Sequence, residues 1–158
     1  MKTAVYPGSF DPVTNGHIEI VERSQKFIEC IIIAVAHNPQ KKSLFSFEER
    51  AEMLKEVFKD YDNVRVESFD GLLVDYLRRK KVSLVIRGLR AVSDFDYEFQ
   101  MALTNRQFME EVETIFLMPR EEYLYLSSSM VRQIAQFHGS IKKFVPEIVA
   151  QRLREKFT

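Results

Sequence analysis

The sequence predicts an α/β fold, a doubly wound sheet of five parallel strands with helices on both faces. Three observations point there. Short apolar runs of strand length alternate along the chain with segments whose apolar residues recur at helical spacing, and that alternation builds a parallel sheet with right-handed crossovers. The run Cys30-Ile31-Ile32-Ile33-Ala34-Val35-Ala36 is apolar throughout, as a strand buried on both faces must be. Turn-rich or polar segments follow directly on the strand-like runs, where ligands of parallel sheets bind.

In chain order, Thr3-Ala4-Val5-Tyr6 reads as the first strand, and the apolar spacing of Ile18, Ile20 and Val21 predicts a helix over residues 15–27. Cys30 to Ala36 is the second strand, and the polar run of residues 37–43 is the loop after it. Ser46 and Glu49 form a capping box at the start of a helix that buries Met53, Leu54, Val57 and Phe58. Residues 64–68 alternate as a third strand. A helix begins at Leu72 and ends in Arg78-Arg79-Lys80-Lys81, a basic run that complements the helix dipole and needs no nucleic acid to explain it. Leu84-Val85-Ile86 is the fourth strand. Ser93 is the expected cap of a helix over residues 94–110, with Phe95, Phe99, Ala102, Leu103 and Phe108 available for packing. Residues 114–118 are the fifth strand, stopped by Pro119. A serine-rich stretch then opens a helix that runs to His138, with Gly139 as its C-cap, and Pro146 stands at the first position of a last helix. Met101, Met130 and the many phenylalanines read as core.

Composition narrows the function. The 158 residues suffice for one domain, taken as residues 1–158, with no linker or repeat inside it. Lys plus Arg and Asp plus Glu balance at 23 each, which argues against bulk binding to nucleic acid or an anionic membrane. No apolar run approaches the roughly 20 residues of a membrane helix. The lone Cys30 permits no internal disulfide and suits a reducing compartment. With no leader-like block after Met1-Lys2, a cytoplasmic location is expected.

The chemistry concentrates at strand ends. Tyr6-Pro7-Gly8-Ser9-Phe10-Asp11-Pro12-Val13-Thr14-Asn15-Gly16-His17 joins the first strand to the first helix. It aims backbone N–H groups and a positive helix end at an anion, with a histidine in the first turn. Neither a G-x-G-x-x-G nor a Walker G-K-[ST] is present. Lys41 lies in the second strand's loop, Arg87-Gly88-Leu89-Arg90 follows the fourth strand, and Ser127-Ser128-Ser129 opens a helix after the fifth.

These motifs carry a resemblance. Thr14-Asn15-Gly16-His17 with the loop before it resembles the (H/T)-x-G-H signature of the nucleotidyltransferase superfamily, which implies a Rossmann-like sheet. Ser127-Ser128-Ser129-Met130-Val131-Arg132 is similar to that superfamily's second, serine-rich motif. Arg87-Gly88-Leu89-Arg90-Ala91-Val92-Ser93-Asp94-Phe95-Asp96-Tyr97-Glu98, with Asn38-Pro39-Gln40-Lys41-Lys42 and Phe47-Glu48-Glu49-Arg50, resembles the bacterial phosphopantetheine adenylyltransferases over essentially the whole chain.

The resemblance implies transfer of the adenylyl group of ATP, carried with Mg²⁺, to 4′-phosphopantetheine, giving dephospho-coenzyme A and pyrophosphate. It implies His17, Lys41 and Arg90 as catalytic residues and Ser9, Lys41, Leu73 and Arg87 as acceptor-binding. It places Ser9, Phe10, His17, Gly88, Leu89, Arg90, Glu98, Tyr123, Leu124, Tyr125, Leu126, Ser127, Ser128 and Ser129 at ATP. Position 9 is Thr in many family members, a conservative departure, and Arg132 is a secondary candidate for phosphate. No protein metal ligand is expected, and the family further implies a homohexamer and inhibition by coenzyme A. Sister activities on nicotinamide mononucleotide or glycerol phosphate, and a non-catalytic nucleotide sensor, are the competing expectations. The Arg87 to Glu98 block argues against the sister activities, and an intact His17 against the sensor.

Overall fold

One sheet of five parallel strands, ordered β3-β2-β1-β4-β5, organises the molecule: β1 (Thr3–Gly8), β2 (Cys30–His37), β3 (Val64–Asp70), β4 (Leu84–Gly88) and β5 (Glu113–Leu117). The structure, a computed structural model, describes residues 2–158, the side chains of Val92 and Ser93 excepted. Val5 at the sheet centre pairs with Ile32 on one side and Val85 on the other. The order reverses between β1 and β4, so a crevice opens above their C-terminal ends. The helices are α1 (Asn15–Ser24), α2 (Phe47–Val57), α3 (Leu73–Lys80), α4 (Val92–Phe108), α5 (Ser128–Gln136) and α6 (Glu147–Lys156).

Alternation along the strands divides the core in two. Ala4, Tyr6, Ile31, Ile33, Val35 and Ile86 meet the buried faces of α1, α2, α5 and α6. Val5, Ile32, Ala34 and Val85 point the other way, to a smaller core with Val74, Tyr76 and Leu77 of α3 and Met109 just after α4. The all-apolar run of β2 is thus spent on both faces, as expected of an inner strand. The capping box of α2 also forms, with Ser46 Oγ accepting from the Glu49 N–H at 3.1 Å and Glu49 Oε2 from the Ser46 N–H at 2.7 Å.

Several boundaries differ from expectation, each for a local reason. Helix α1 stops at Ser24 instead of 27. The Ser24 hydroxyl bonds back to the Ile20 carbonyl at 2.7 Å, and residues 26 and 27 continue with the tighter i−3 bonds of a fraying end. Strand β4 runs on through Arg87 and Gly88, which pair with Phe116 and Leu117, so both residues sit on the sheet and not in a loop after it. Helix α4 starts at Val92 after Ala91, which makes no side-chain capping bond; Ser93 is therefore inside the helix, not its cap. The left-handed residue after α5 is His138 (φ 59), not Gly139. The N–H of His138 bonds to the Ala135 carbonyl and that of Gly139 to Ile134, a Schellman ending with a non-glycine in its left-handed position. Gly139 is needed for space, since a Cβ there would stand 2.6 Å from Ile134 Cγ2. Pro146 is the N-cap of α6, one position earlier than expected.

The larger correction concerns α4. Phe95, Phe99, Met101, Leu103 and Phe108, expected to pack, are all exposed, as are Tyr97, Phe27 and Phe137. Apolar residues are distributed all round α4, so one sheet face cannot cover them. Phe95 and Phe99 stack on each other in the open, their ring centroids 5.5 Å apart.

Candidate active site

The crevice at the sheet's reversal point is a cleft of about 570 Å³, and the loops after β1, β2, β4 and β5 all contribute to its walls. At its floor stands His17, fixed by a reciprocal cap on α1. The Thr14 hydroxyl accepts from the His17 N–H at 3.5 Å. His17 Nδ1 accepts in return from the Thr14 N–H at 3.0 Å and lies 3.1 Å from the Thr14 hydroxyl. This is a capping box with histidine where glutamate or glutamine usually stands. Its consequence is chemical. With Nδ1 used as an acceptor, the ring proton of the neutral imidazole must be on Nε2. Desolvation in the cleft floor, with the Arg90 and Arg87 cations nearby, pushes the His17 pKa down to about 3. At neutral pH the ring is an uncharged N–H donor on Nε2.

Phe10 braces that ring from below. Its backbone is left-handed (φ 49), and its buried side chain meets His17 edge-on at 5.0 Å and Tyr6 at 5.4 Å between centroids. A Cβ at Gly8 would come within 3.0 Å of the Phe10 ring, so the glycine leaves room for the phenylalanine. Phe10, expected at the nucleotide, therefore borders the cleft as a support for His17 with its ring turned into the core.

Arginines form the opposite wall. Arg87 makes a two-pronged pair with Glu98, Nε to Oε2 at 2.8 Å and Nη2 to Oε1 at 2.5 Å, and its Nη1 donates to the Pro7 carbonyl at 2.5 Å. Two of the five guanidinium N–H groups remain. Arg90 is held by Asp94, Nε to Oδ2 at 3.2 Å, and donates from Nη1 to the Leu126 carbonyl at 2.9 Å. Lys41 and Lys42 reach the cleft from the loop after β2. Asp11 anchors that loop, accepting from the N–H groups of Leu44 and Phe45, each at 2.9 Å, and pairing with Arg132 at 3.6 Å. Buried Arg50 ties two strand ends together through the carbonyls of Ser9 (2.7 Å) and Ala36 (3.3 Å).

The serines that open α5 line the cleft, each with one hydrogen bond on its hydroxyl, and those of Ser127 and Ser129 keep their O–H donors. Ser127 caps the Met130 N–H at 3.1 Å, Ser128 donates to the Pro12 carbonyl at 2.7 Å, and Ser129 accepts from Arg132 at 3.2 Å. What α5 turns toward the cleft is its N-terminal end, a ready anion site.

Of the residues expected from sequence, Ser9, Phe10, His17 and Lys41 line the cleft, as do Arg87, Gly88, Arg90 and Glu98, and Tyr123 with Leu126 to Ser129. Four are not brought there. Leu73 packs against the smaller core, Tyr125 is 86% exposed, and Leu89 and Leu124 lie outside the lining. Sequence reading passed over Thr14 as the partner of His17, and Asp94, Tyr97 and Asp11 as wall or anchor. Thr14 was detectable, standing three residues before His17, but the box is usually sought with an acidic or amide residue at its far end. Nothing in the sequence relates Asp11 to positions 44, 45 and 132. Among the described residues no group of three or more His, Cys, Asp and Glu could hold a metal ion, and no helix is long and apolar enough to cross a membrane.

Comparison with known proteins agrees with this arrangement. Residues 5–134 match the cytidylyltransferase-like family model. Two structures of Plasmodium falciparum nicotinic acid mononucleotide adenylyltransferase, complexed with NaAD and with APC, both have TM-scores of 0.69 at 16% and 15% identity. Each covers 98% of this chain, and the match spans 96% and 94% of theirs. At that identity they speak for the fold alone, a Rossmann-like parallel sheet. The phosphopantetheine adenylyltransferase of Caldanaerobacter subterraneus subsp. tengcongensis is 58% identical over 99% of this chain and 98% of its own. That of Dictyoglomus thermophilum is 58% identical over 99% and 96%, and that of Carboxydothermus hydrogenoformans 54% over 99% and 97%. The chain is a nucleotidyltransferase of the cytidylyltransferase-like class. Within that class it belongs to the phosphopantetheine adenylyltransferase family.

Proposed function

We propose that this protein transfers the adenylyl group of ATP to 4′-phosphopantetheine, a step of coenzyme A biosynthesis. The observation that carries the reading is the neutral His17, its Nε2–H free for a phosphate in a cleft walled by Arg87, Arg90 and Lys41. An oxygen of the acceptor's phosphate attacks the α-phosphorus of ATP. One P–O bond forms there, the bond to the β-phosphate bridge breaks, and pyrophosphate leaves with the electron pair. The nucleophile is already an anion, so no general base is required. The protein has to position two anions and neutralise charge as it shifts.

His17 donates from Nε2 to a non-bridging oxygen of the α-phosphate. Lys41 supplies a mobile point charge for the acceptor phosphate, and Arg87 meets the same phosphate with the N–H groups that Glu98 and Pro7 leave over. Ser9 completes the acceptor side. On the nucleotide side stand Gly88 and Arg90, with Arg90 toward the β- and γ-phosphates, together with Glu98, Tyr123 and Leu126 to Ser129. ATP enters as its Mg²⁺ complex, the ion held by phosphates and water. The carboxylates of the cleft favour that account, because Asp11, Asp94 and Glu98 are each engaged by an arginine or by backbone N–H groups.

The same reading takes residues 1–158 as a single nucleotidyltransferase domain working in the cytoplasm. It makes the protein a homohexamer, with the exposed apolar side chains of α4 as support for self-association, and coenzyme A a feedback inhibitor. The test is pyrophosphate release from ATP with 4′-phosphopantetheine, nicotinamide mononucleotide, glycerol phosphate or no acceptor. Release with the first alone is expected. Release with nicotinamide mononucleotide in its place would replace the reading with a sister activity.

A further inference from the structure

The connection between β5 and α5 brings Pro119, Tyr123 and Leu126 into the cleft wall. Its only regular element is the 3₁₀ turn Glu121–Tyr123, and Met118 and Tyr125 stand well out in solvent. Such a segment needs external fixing to present one shape. At its far end the fixing comes from the Ser127 cap and the Arg90 bond to the Leu126 carbonyl. At its near end it comes from α1. Glu19 is buried there, and its Oε2 accepts from the Arg120 N–H at 2.9 Å. Its Oε1 lies 3.3 Å from Arg120 Nε and 3.8 Å from Arg23 Nη1, and is buried with no hydrogen bond. Arg23, one turn further along α1, donates to the Met118 carbonyl.

A buried carboxylate is costly unless it is paired, and here its partners are the backbone and side chain where the cleft wall begins. Glu19 also stands two residues after His17 on the same helix. The group that anchors the wall and the group that donates to phosphate are therefore carried by one rigid body.

We infer that Glu19 is a positioning residue, holding the 118–126 wall in register with His17 so that the nucleotide meets the wall and the phosphate donor in a single geometry. This rests on the reading of the cleft as an adenylyl-transfer site. Glu19→Gln keeps an acceptor for the Arg120 N–H but removes the charge. Arg120→Ala keeps the N–H and removes the guanidinium from an exposed position, so it should fold if Glu19→Gln does not.

The measurements are ATP affinity by calorimetry without acceptor, KM for each substrate, and the thermal midpoint. Glu19→Gln should weaken ATP binding about tenfold, the effect of one charge-assisted contact, with KM for 4′-phosphopantetheine unchanged. Arg120→Ala should weaken ATP binding several-fold, and the double variant should be no worse than Glu19→Gln alone, because both remove one contact. Unchanged ATP affinity in the variants, or equal loss for both substrates in step with the thermal midpoint, overturns the role of Glu19. A wild-type protein that neither binds ATP nor releases pyrophosphate overturns the functional reading as well.

Discussion

Helices α1 and α4 both leave the central strands at the point where the sheet order reverses, and both reach the cleft, yet they are held in opposite ways. Helix α1 carries its own lock. Thr14 and His17 cap each other, and Ile20 and Val21 go into the larger core. Helix α4 has no capping side chain and shows Phe95, Phe99, Leu103 and Phe108 to solvent. Its start is tied down by two arginines, Arg87 at the end of β4 on Glu98 and Arg90 from the connection after it on Asp94. One helix presents its cleft residue by local hydrogen bonding. The other presents carboxylates that restrain the cations, and leaves its apolar side chains exposed.

The contrast can be broken most severely at His17. His17→Ala should lower kcat by about 10²–10³, roughly 3–4 kcal/mol, the usual effect of removing one preorganised donor, while ATP still binds. Unchanged pyrophosphate release would remove His17 from the chemistry.

Thr14→Ala comes next. It removes the hydroxyl of the cap and should cost about 1 kcal/mol of stability, read as a lower denaturant midpoint. It should also slow turnover by about tenfold as the imidazole loses one of its two restraints, with Thr14→Ser restoring both. Full activity in Thr14→Ala would mean that the Thr14 N–H bond alone sets the ring.

A smaller effect concerns pH. The His17 pKa is about 3 in the folded protein and about 6.5 in an unfolded chain, so between those values the unfolded state binds more protons. Its contribution to stability is therefore complete above about pH 6.5 and is lost as pH falls toward 3. His17→Gln should flatten the acid limb of a stability–pH curve, and kcat should show no ionisation of His17 between pH 5 and 8. An identical acid limb in both proteins would contradict a neutral ring.

The least effect on the fold is expected on α4. Phe99→Ser removes an exposed side chain and should shift monomer stability by no more than about 0.5 kcal/mol, while sedimentation reports a smaller assembly. An unchanged sedimentation coefficient would leave α4 without its outside partner.

What could be read from sequence follows the range of the forces involved. The α2 capping box and the two-faced burial of β2 are written within a few neighbouring residues, and both appear as expected. The His17 box is just as local, and was missed as a box only because histidine occupies an unusual place in it. The burial of α4 was misjudged because an apolar side chain signals a wish to be covered without saying by what. The serines of α5 line the cleft at the helix start their run suggests, while the bonds of their hydroxyls with Met130, Pro12 and Arg132 appear only in the fold.

By itself the sequence determined the parallel α/β class, the strand-end position of His17, Lys41, Arg87 and Arg90, and the family resemblance. These rest on periodicity and on motifs a few residues long. Tertiary structure alone decided that Arg87 grips Glu98, that Asp11 holds the loop behind Lys41, and that Glu19 reaches Arg120 across 101 positions. Such pairings depend on which loops the sheet order brings to one crevice. An arginine or a carboxylate, with a charge that any opposite partner can meet, does not name its partner until the fold has chosen it.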